Sequence, residues 1–374
     1  MEFKNALHCS TPSRICLFGE HQDYLGLEVI TMAINLRFSG IAEKRTDGLV
    51  VIDIRDDSCG DLDYKGESMW KRITLSLNEG ELPYEYKRDY MRSVFNVLRR
   101  RGYDLSCGFT MQISSTIPIG KGMSSSSAMI IILIQCVLTT IGSKDASNPK
   151  VISDLAFDCE VTEFSEPGGK MDHISTCYGG LVHMYFGNPQ EVVPLDFTIP
   201  GSFVLIDSLQ RKDTLKVLAS SKTPTVEAVS MLGAYGVTSL RDLIENPEKQ
   251  ELLSHVDDFR RQRLVANLKN YAILKEGRKL LSKDSFDPVQ FGKLLYDHHC
   301  QLRDGLGIST DIVEDALNVA LKAGGLGGKI NGSGGGGCLY VYCRDEDALK
   351  IKTAVDAAGY KSMVIKCDSG VRLD

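Results

Sequence analysis

Three segments of the chain concentrate groups able to do chemistry. In the first, Arg14-Ile-Cys-Leu-Phe-Gly19-Glu20-His21-Gln-Asp23-Tyr24, polar and charged side chains crowd just after an apolar, strand-like run. Carboxylates and an imidazole so placed can pair with the hydroxyls of a polyhydroxylated ligand, although the same residues also suit a turn with a solvated charge cluster. The second, Pro118-Ile-Gly120-Lys121-Gly122-Met123-Ser124-Ser125-Ser126-Ser127-Ala128, lies between a strand and a strongly apolar helix. Glycines let backbone approach a ligand, and a helix N-terminus offers unpaired N–H groups at the positive end of a dipole. Together they make an anion site, usually for phosphate. No Gly-Lys-Ser/Thr triplet is present, so this is not a Walker A loop. A helix start with a flexible lead-in is the plainer alternative.

The third segment, Asn331-Gly332-Ser-Gly334-Gly335-Gly-Gly337-Cys338, formally matches G-x-G-x-x-G. That fingerprint must open a helix within a βαβ unit. Here Cys338-Leu-Tyr-Val-Tyr-Cys343 follows and is strand-like, so the dinucleotide reading fails. What remains is a glycine loop that touches a ligand or the second segment, or a loose surface loop.

These segments need elements to hold them. Strands are expected at Val29 to Phe38, Leu49 to Ile54, Phe109 to Ile113, Tyr178 to Phe186 and Phe203 to Asp207, and later at Leu339 to Cys343 and Ser362 to Lys366. Helices are expected at Tyr86 to Arg101, Ser124 to Thr140 and Asn148 to Glu160, the last with Asn148 as N-cap and Pro149 at its first position. Beyond Thr214 the chain reads as mostly helical, through Asp257 to Leu281, Pro288 to Leu302, Asp311 to Ala323 and Glu346 to Ala358. The pattern is mixed α+β in two halves, divided here as residues 1–197 and 198–374.

Composition narrows the partners. With 374 residues, 43% hydrophobic and 25% charged, and a net charge of −6, the chain reads as an ordinary globular protein without the basic surface nucleic acids require. Met1 to Pro12 lacks the apolar core of a secretory signal, and the longest apolar run, near Met129 to Leu138, is far short of a membrane span. The 11 cysteines include no C-x-x-C pair and the seven histidines show no metal spacing, so reduced thiols and a cytoplasmic location are expected. Of the 35 glycines, nine fall between Gly324 and Gly337, which localises the excess over average usage.

In this order, the three segments resemble the motifs of the GHMP kinase superfamily, and most resemble galactokinases. Gly19-Glu20-His21-Gln22-Asp23-Tyr24 is similar to the signature G-E-H-x-D-Y. His299-Cys-Gln-Leu302-Arg303-Asp304 is similar to H-x-x-L-R-D, and Pro167-Gly168-Gly169-Lys170-Met171-Asp172 to P-x-G-I-M-D. Mevalonate kinases resemble the chain less well, carrying Lys where Arg14 stands and lacking the second acidic residue after G-E-H. The resemblance implies a two-domain α+β fold, with an N-terminal domain of ribosomal-protein-S5-like type and a ferredoxin-like α/β C-terminal domain with added helices. It implies ATP-dependent phosphorylation of the anomeric hydroxyl of galactose or a related sugar by a monomer or weak homo-oligomer, with no nucleic-acid or membrane partner.

By the same resemblance, Asp172 and Arg14 are the catalytic carboxylate and its partner. Pro118, Gly120, Lys121, Gly122, Met123, Ser124 to Ser127, Gly334 and Gly335 bind ATP. Glu20, His21, Asp23, Gly169 and Asp172 bind the sugar, and Ser126 and Glu160 ligate Mg²⁺, with Glu163 and Glu166 competing for the glutamate's role. His298, His299, Arg303 and Asp304 are expected to pack a helix behind the third motif. The chain departs from the galactokinase pattern in lacking a S-E-Y-N-like tyrosine near residues 208–227 and in carrying Gln22, Leu25-Gly26-Leu27 and Lys170. Plant galacturonokinases share the R-I-C start, so an acidic sugar is an alternative, with Lys170 or Arg211 as carboxylate partner. A mevalonate-type kinase and a non-catalytic sugar sensor are further alternatives.

Overall fold

The computed structural model describes residues 6–56, 71–211, 214–284 and 286–374; Cys59 and Met1 to Asn5 lie outside them. The first half carries β1 (Leu7–Phe18), β2 (Val29–Arg45), β3 (Leu49–Asp56), β4 (Lys71–Ser76), β5 (Gly108–Ser115), β6 (Leu181–Tyr185) and β7 (Glu191–Leu195). The second half carries β8 (Ser202–Asp207), β9 (Gly327–Ile330), β10 (Cys338–Cys343), β11 (Lys361–Ile365) and β12 (Arg372–Leu373). Helices α1 (Tyr90–Arg100), α2 (Ser125–Thr140), α3 (Pro149–Phe157) and α4 (Met171–Tyr178) belong to the first half. In the second half lie α5 (Thr214–Leu232), α6 (Leu240–Glu245), α7 (Asp258–Leu280), α8 (Pro288–Cys300), α9 (Asp311–Lys322) and α10 (Ala348–Ala357).

Two sheets result. One runs β12-β1-β2-β5-β3-β4, with β6 and β7 continuing from the start of β2, and only its β3–β5 pair is parallel. The other is antiparallel, in the order β11-β8-β10-β9. Strand β2 outruns the expected Phe38 by seven residues, reaching Arg45. Polar Ser39, Glu43 and Lys44 stay in strand because the same stretch pairs with β5 across Phe38 to Arg45, and with β1 up to Ala42. Neighbouring strands here override weak local propensity.

The apolar helix α2 is buried on nearly every side, from Ser127 to Leu138. A helix apolar all round belongs inside a core, and α2 packs on β1 and β2. Position 197 falls in the connection from β7 to β8, but the two halves are not separate along the sequence. After β11 the chain returns to the first sheet, where β12 pairs with β1 and Arg37 binds Asp368 at 2.9 Å. Phe18, Phe203, Phe291 and Tyr340 share one hydrophobic core that reaches from the first sheet into the second.

Two helix boundaries depart from expectation and bear on chemistry. Helix α1 starts at Tyr90, not Tyr86, because the Asp89 carboxylate caps the Arg92 N–H at 3.3 Å and also accepts from the Glu85 N–H. Helix α3 does not run regularly to Glu160; it widens into a π turn over Asp158–Thr162, which carries Glu160. Such turns insert a residue and re-aim the side chains around them.

Because Ile132 is wholly buried in α2, Ile132→Ala should lower unfolding free energy by about 2–5 kcal/mol. Urea denaturation followed by circular dichroism should show the midpoint falling with an unchanged slope.

Candidate active site

The three segments meet around one cavity of about 490 Å³. Arg14 leaves β1 with only 2% of its side chain exposed, and its Nε and Nη2 reach Asp172 Oδ1 at 2.8 and 2.7 Å. Its Nη1 donates to the Gly122 carbonyl at 2.9 Å. Burial alone would raise the Asp172 carboxyl; the opposing charge and hydrogen bonds of Arg14 outweigh it and hold the group below the usual carboxylate range.

The serine loop is anchored from behind. Its Lys121 carbonyl accepts from Cys338 N at 2.8 Å, its Gly122 carbonyl from Asn331 Nδ2 at 2.9 Å, and its Met123 carbonyl from Ser13 Oγ at 2.7 Å. The third segment therefore braces the loop, as the glycine reading allowed. Gly332 makes this possible: it sits at φ +76°, and a Cβ there would come within 2.6 Å of the Gly122 carbonyl. Ser124 also adopts a left-handed conformation (φ 54°) and its hydroxyl does not cap the helix, so the plain N-cap reading of the serine cluster fails. Ser126 Oγ and Ser127 Oγ instead donate to the two oxygens of Glu160 at 2.5 and 2.7 Å.

His173 Nε2 lies 2.8 Å from the same Glu160 carboxylate. Burial opposes ionising Glu160, but these bonds, His173's foremost, lower its pKa. Ser126 and Glu160 thus bring hard oxygen donors together beside the loop, a set whose chemistry fits a divalent cation such as Mg²⁺. No group of three or more His, Cys, Asp or Glu suited to a metal occurs among the described residues.

Glu20, His21 and Asp23 also line the cavity. His21 has both ring nitrogens engaged, one by the Tyr24 hydroxyl at 2.7 Å and one by the Ser333 carbonyl at 3.2 Å. Asp23 rests on Gly169, where a Cβ would lie 1.8 Å from its Oδ2, and accepts from the Met171 N–H at 3.3 Å. Burial, and then the negative charge of Asp172, push Asp23 up to about 6.

Of the expected site residues, Arg14, Glu20, His21, Asp23, Gly120, Gly122, Met123, Ser124 to Ser127, Glu160, Gly169 and Asp172 line this cavity. Pro118, Lys121, Gly334 and Gly335 do not. The Lys121 side chain pairs with Asp207 at 3.0 Å, and the Gly335 N–H is spent on the Ile308 carbonyl at 2.7 Å. Gly332 and Ser333 stand at the wall instead. Glu163 turns to Arg100 and Tyr84, whereas Glu166 binds Arg88 at the cavity. Lys170 is held by Asp154 at 3.2 Å and Arg211 is exposed, so neither faces the cavity. His299 accepts from the Ile330 N–H at 3.3 Å, and the buried His298 stacks on Phe18, a packing role behind the third segment as expected.

Sequence reasoning missed Arg88, Tyr90 and His173. Arg88 falls inside the expected helix at Tyr86 to Arg101, but it precedes α1, has a left-handed φ of 64° and binds Glu166 at 2.7 Å. His173 stands next to Asp172, the one local signal for it.

Two sheets, a buried, mostly apolar helix running from the serine loop, and a cavity lined from both halves go with the two-domain GHMP kinase fold. Residues 89–180 match the family described as GHMP kinases N terminal domain, residues 278–361 match GHMP kinases C terminal, and residues 2–44 match the galactokinase galactose-binding signature. The chain belongs to the GHMP kinase superfamily, whose kinases are ATP-dependent phosphotransferases. It is 28% identical to a mevalonate kinase of Thermococcus onnurineus, over 98% of this chain and 97% of that one. It is 24% identical to a galactokinase of Streptomyces coelicolor, over 94% and 89%. The fold is shared with Lactococcus lactis galactokinase complexed with galactose, at a TM-score of 0.80 and 21% identity over 99% of this chain and 95% of that one. Methanococcus jannaschii mevalonate kinase also shares it, at 0.71 and 19% over 98% and 100%. No helix among the described residues is long and apolar enough to cross a membrane.

The Asp23 shift has a consequence for stability. A carboxyl at about 6 in the folded chain and 3.8 otherwise favours folding when protonated, so its contribution is lost as pH rises through 6. Asp23→Asn, which cannot ionise, should be more stable than the parent at pH 8, and the gap should shrink toward pH 4. Denaturant melts across that range would show a constant gap if the assignment is wrong.

Proposed function

We propose that the protein is an ATP-dependent kinase phosphorylating the anomeric hydroxyl of galactose or a related monosaccharide, with residues 1–197 and 198–374 as its two domains apart from the C-terminal strand β12, which returns to the first sheet. The carrying observation is the single cavity in which the Arg14–Asp172 pair faces both the serine loop and the Glu20–His21–Asp23 wall. The match of residues 2–44 to the galactose-binding signature supports a sugar acceptor. Mevalonate kinases among the relatives keep a non-sugar alcohol as the chief competitor. The complete serine loop weighs against a non-catalytic sugar sensor.

Phosphoryl transfer needs positioning and charge stabilisation more than covalent help. Backbone N–H groups of Gly120 to Ser127 cradle the triphosphate, since the loop's carbonyls are taken up behind it. Ser126 and Glu160 would hold Mg²⁺, which supplies positive charge to the phosphate oxygens. Asp172, kept ionised by Arg14, receives the proton of the attacking hydroxyl. Glu20 and Asp23 accept hydrogen bonds from the acceptor's other hydroxyls.

Coupled ADP release over a panel of sugars and mevalonate tests the class directly; turnover on mevalonate alone would replace the sugar reading. Asp172→Asn should lower kcat by about 10²–10⁴-fold while leaving ATP binding near the parent's, and its thermal midpoint should fall because the buried Arg14 loses its charge partner. Normal turnover in that variant would remove Asp172 from the mechanism.

One observation favours an acidic sugar as a second reading. Lys222 on α5 places its ammonium 4.8 Å over the Tyr24 ring and donates to the Pro167 carbonyl at 2.8 Å, beside two residues of the wall. Burial lowers its pKa, against the pull of Asp23. If Lys222 meets a substrate carboxylate, Lys222→Met should lose most activity on galacturonate and little on galactose. A parent enzyme far better on galactose, with a ratio that Lys222→Met leaves unmoved, ends this reading.

A further inference from the structure

Among the described residues one lysine is fully buried, and it has no part in the phosphate chemistry above. Lys329, on β9, is fully buried. Its ammonium reaches Glu20 Oε2 at 2.7 Å and the Cys16 carbonyl at 2.9 Å, and lies 5.5 Å from the centre of the Tyr340 ring. The Tyr340 hydroxyl donates to the same Cys16 carbonyl at 2.8 Å, and Asn331 Oδ1 accepts from Cys16 N at 2.9 Å. The end of β1 is therefore gripped by β9, β10 and the turn between them.

A buried ammonium is tolerated only where its donors find acceptors. Here the principal acceptor is a residue of the cavity wall. Glu20 is only 1% exposed yet lines the cavity, and among the described residues Lys329 is the hydrogen-bond partner of its carboxylate, through Oε2. The other oxygen, Oε1, stays available as an acceptor. A carboxylate pinned through one oxygen has a defined rotamer and presents the second in a fixed direction.

Resting on the sugar-kinase reading, we propose that Lys329 is a positioning residue for the acceptor site: from the second sheet it fixes Glu20 so that Oε1 accepts a hydroxyl of the bound sugar. The glycine-rich segment then serves two ligands. Its Asn331 and Cys338 brace the phosphate loop, and its Lys329 sets the sugar wall.

The test is a mutant cycle read by ADP release, varying sugar at saturating ATP and then ATP at saturating sugar. Lys329→Met should raise the sugar KM by at least about tenfold, as loss of a buried charge partner does, and leave the ATP KM within about twofold. Because Lys329 acts through Glu20, the double variant Glu20→Gln/Lys329→Met should show the same sugar KM as Glu20→Gln alone. That double variant carries no buried charge at the pair, so it decides the matter even where Lys329→Met does not fold. Equal rises in both KM values, or losses in the double variant that multiply, would overturn the assignment while a working parent enzyme leaves the sugar-kinase reading standing. A parent releasing no ADP with any sugar overturns both.

Discussion

Burying a guanidinium is costly unless its N–H groups find acceptors. Arg14 meets that demand with one carboxylate and one loop carbonyl, Asp172 Oδ1 and Gly122 O, drawn from segments 158 and 108 residues away. The planar fork of Arg can bind both at once; a lysine in its place would be a single point charge with no such fixed angle between donors. The serine loop and the Asp172 carboxylate are thus set relative to each other by one side chain on one strand. Neither partner can shift without leaving part of a buried cation unsatisfied.

The rest of the site follows from holding that strand still. Strand β1 pairs with β2 and β12, and the far sheet reaches it through Lys329, Asn331 and Tyr340. The serine loop has its Lys121, Gly122 and Met123 carbonyls held by Cys338, Asn331 and Ser13. This explains why glycines concentrate late in the chain. Gly327 and Gly328 let β9 lie against α8 and β10, where a Cβ would collide with backbone, and Gly332 and Gly337 let the next turn press on the serine loop. The excess serves close packing of backbone on backbone more than flexibility.

Much of this could be read from residue types. The three segments stand out because their local composition is unusual: Gly and Ser crowded before an apolar helix, and acids with a His just after an apolar strand. Helix α2 was legible because ten apolar positions outweigh everything near them. Arg88, His173 and Lys222 were not, since a charged residue carries no mark of what lies opposite it in the fold. Lys170 and Arg211 illustrate the same limit in reverse, being near the right motifs in sequence but turned to Asp154 and to solvent. Strand β9 escaped because Gly-Gly-Lys-Ile has little strand propensity; pairing with β10 makes it a strand.

The cavity also separates its carboxylates by environment. Asp172 and Asp23 are close enough for each to feel the other's charge, yet only Asp172 has a guanidinium beside it. The positive partner goes to the group proposed as the proton acceptor, while burial first, and then the charge of Asp172, push its neighbour Asp23 up to about 6. Two like groups with divided roles are a recurring arrangement where one must hold charge and the other need only accept a hydrogen bond. It also reconciles an acidic chain with an anionic ligand. A net charge of −6 belongs to the chain as a whole, and what the proposed triphosphate would meet is local: loop N–H groups, a helix N-terminus and the field of Arg14. Placement, and not the total, decides the sign of the potential inside the cavity.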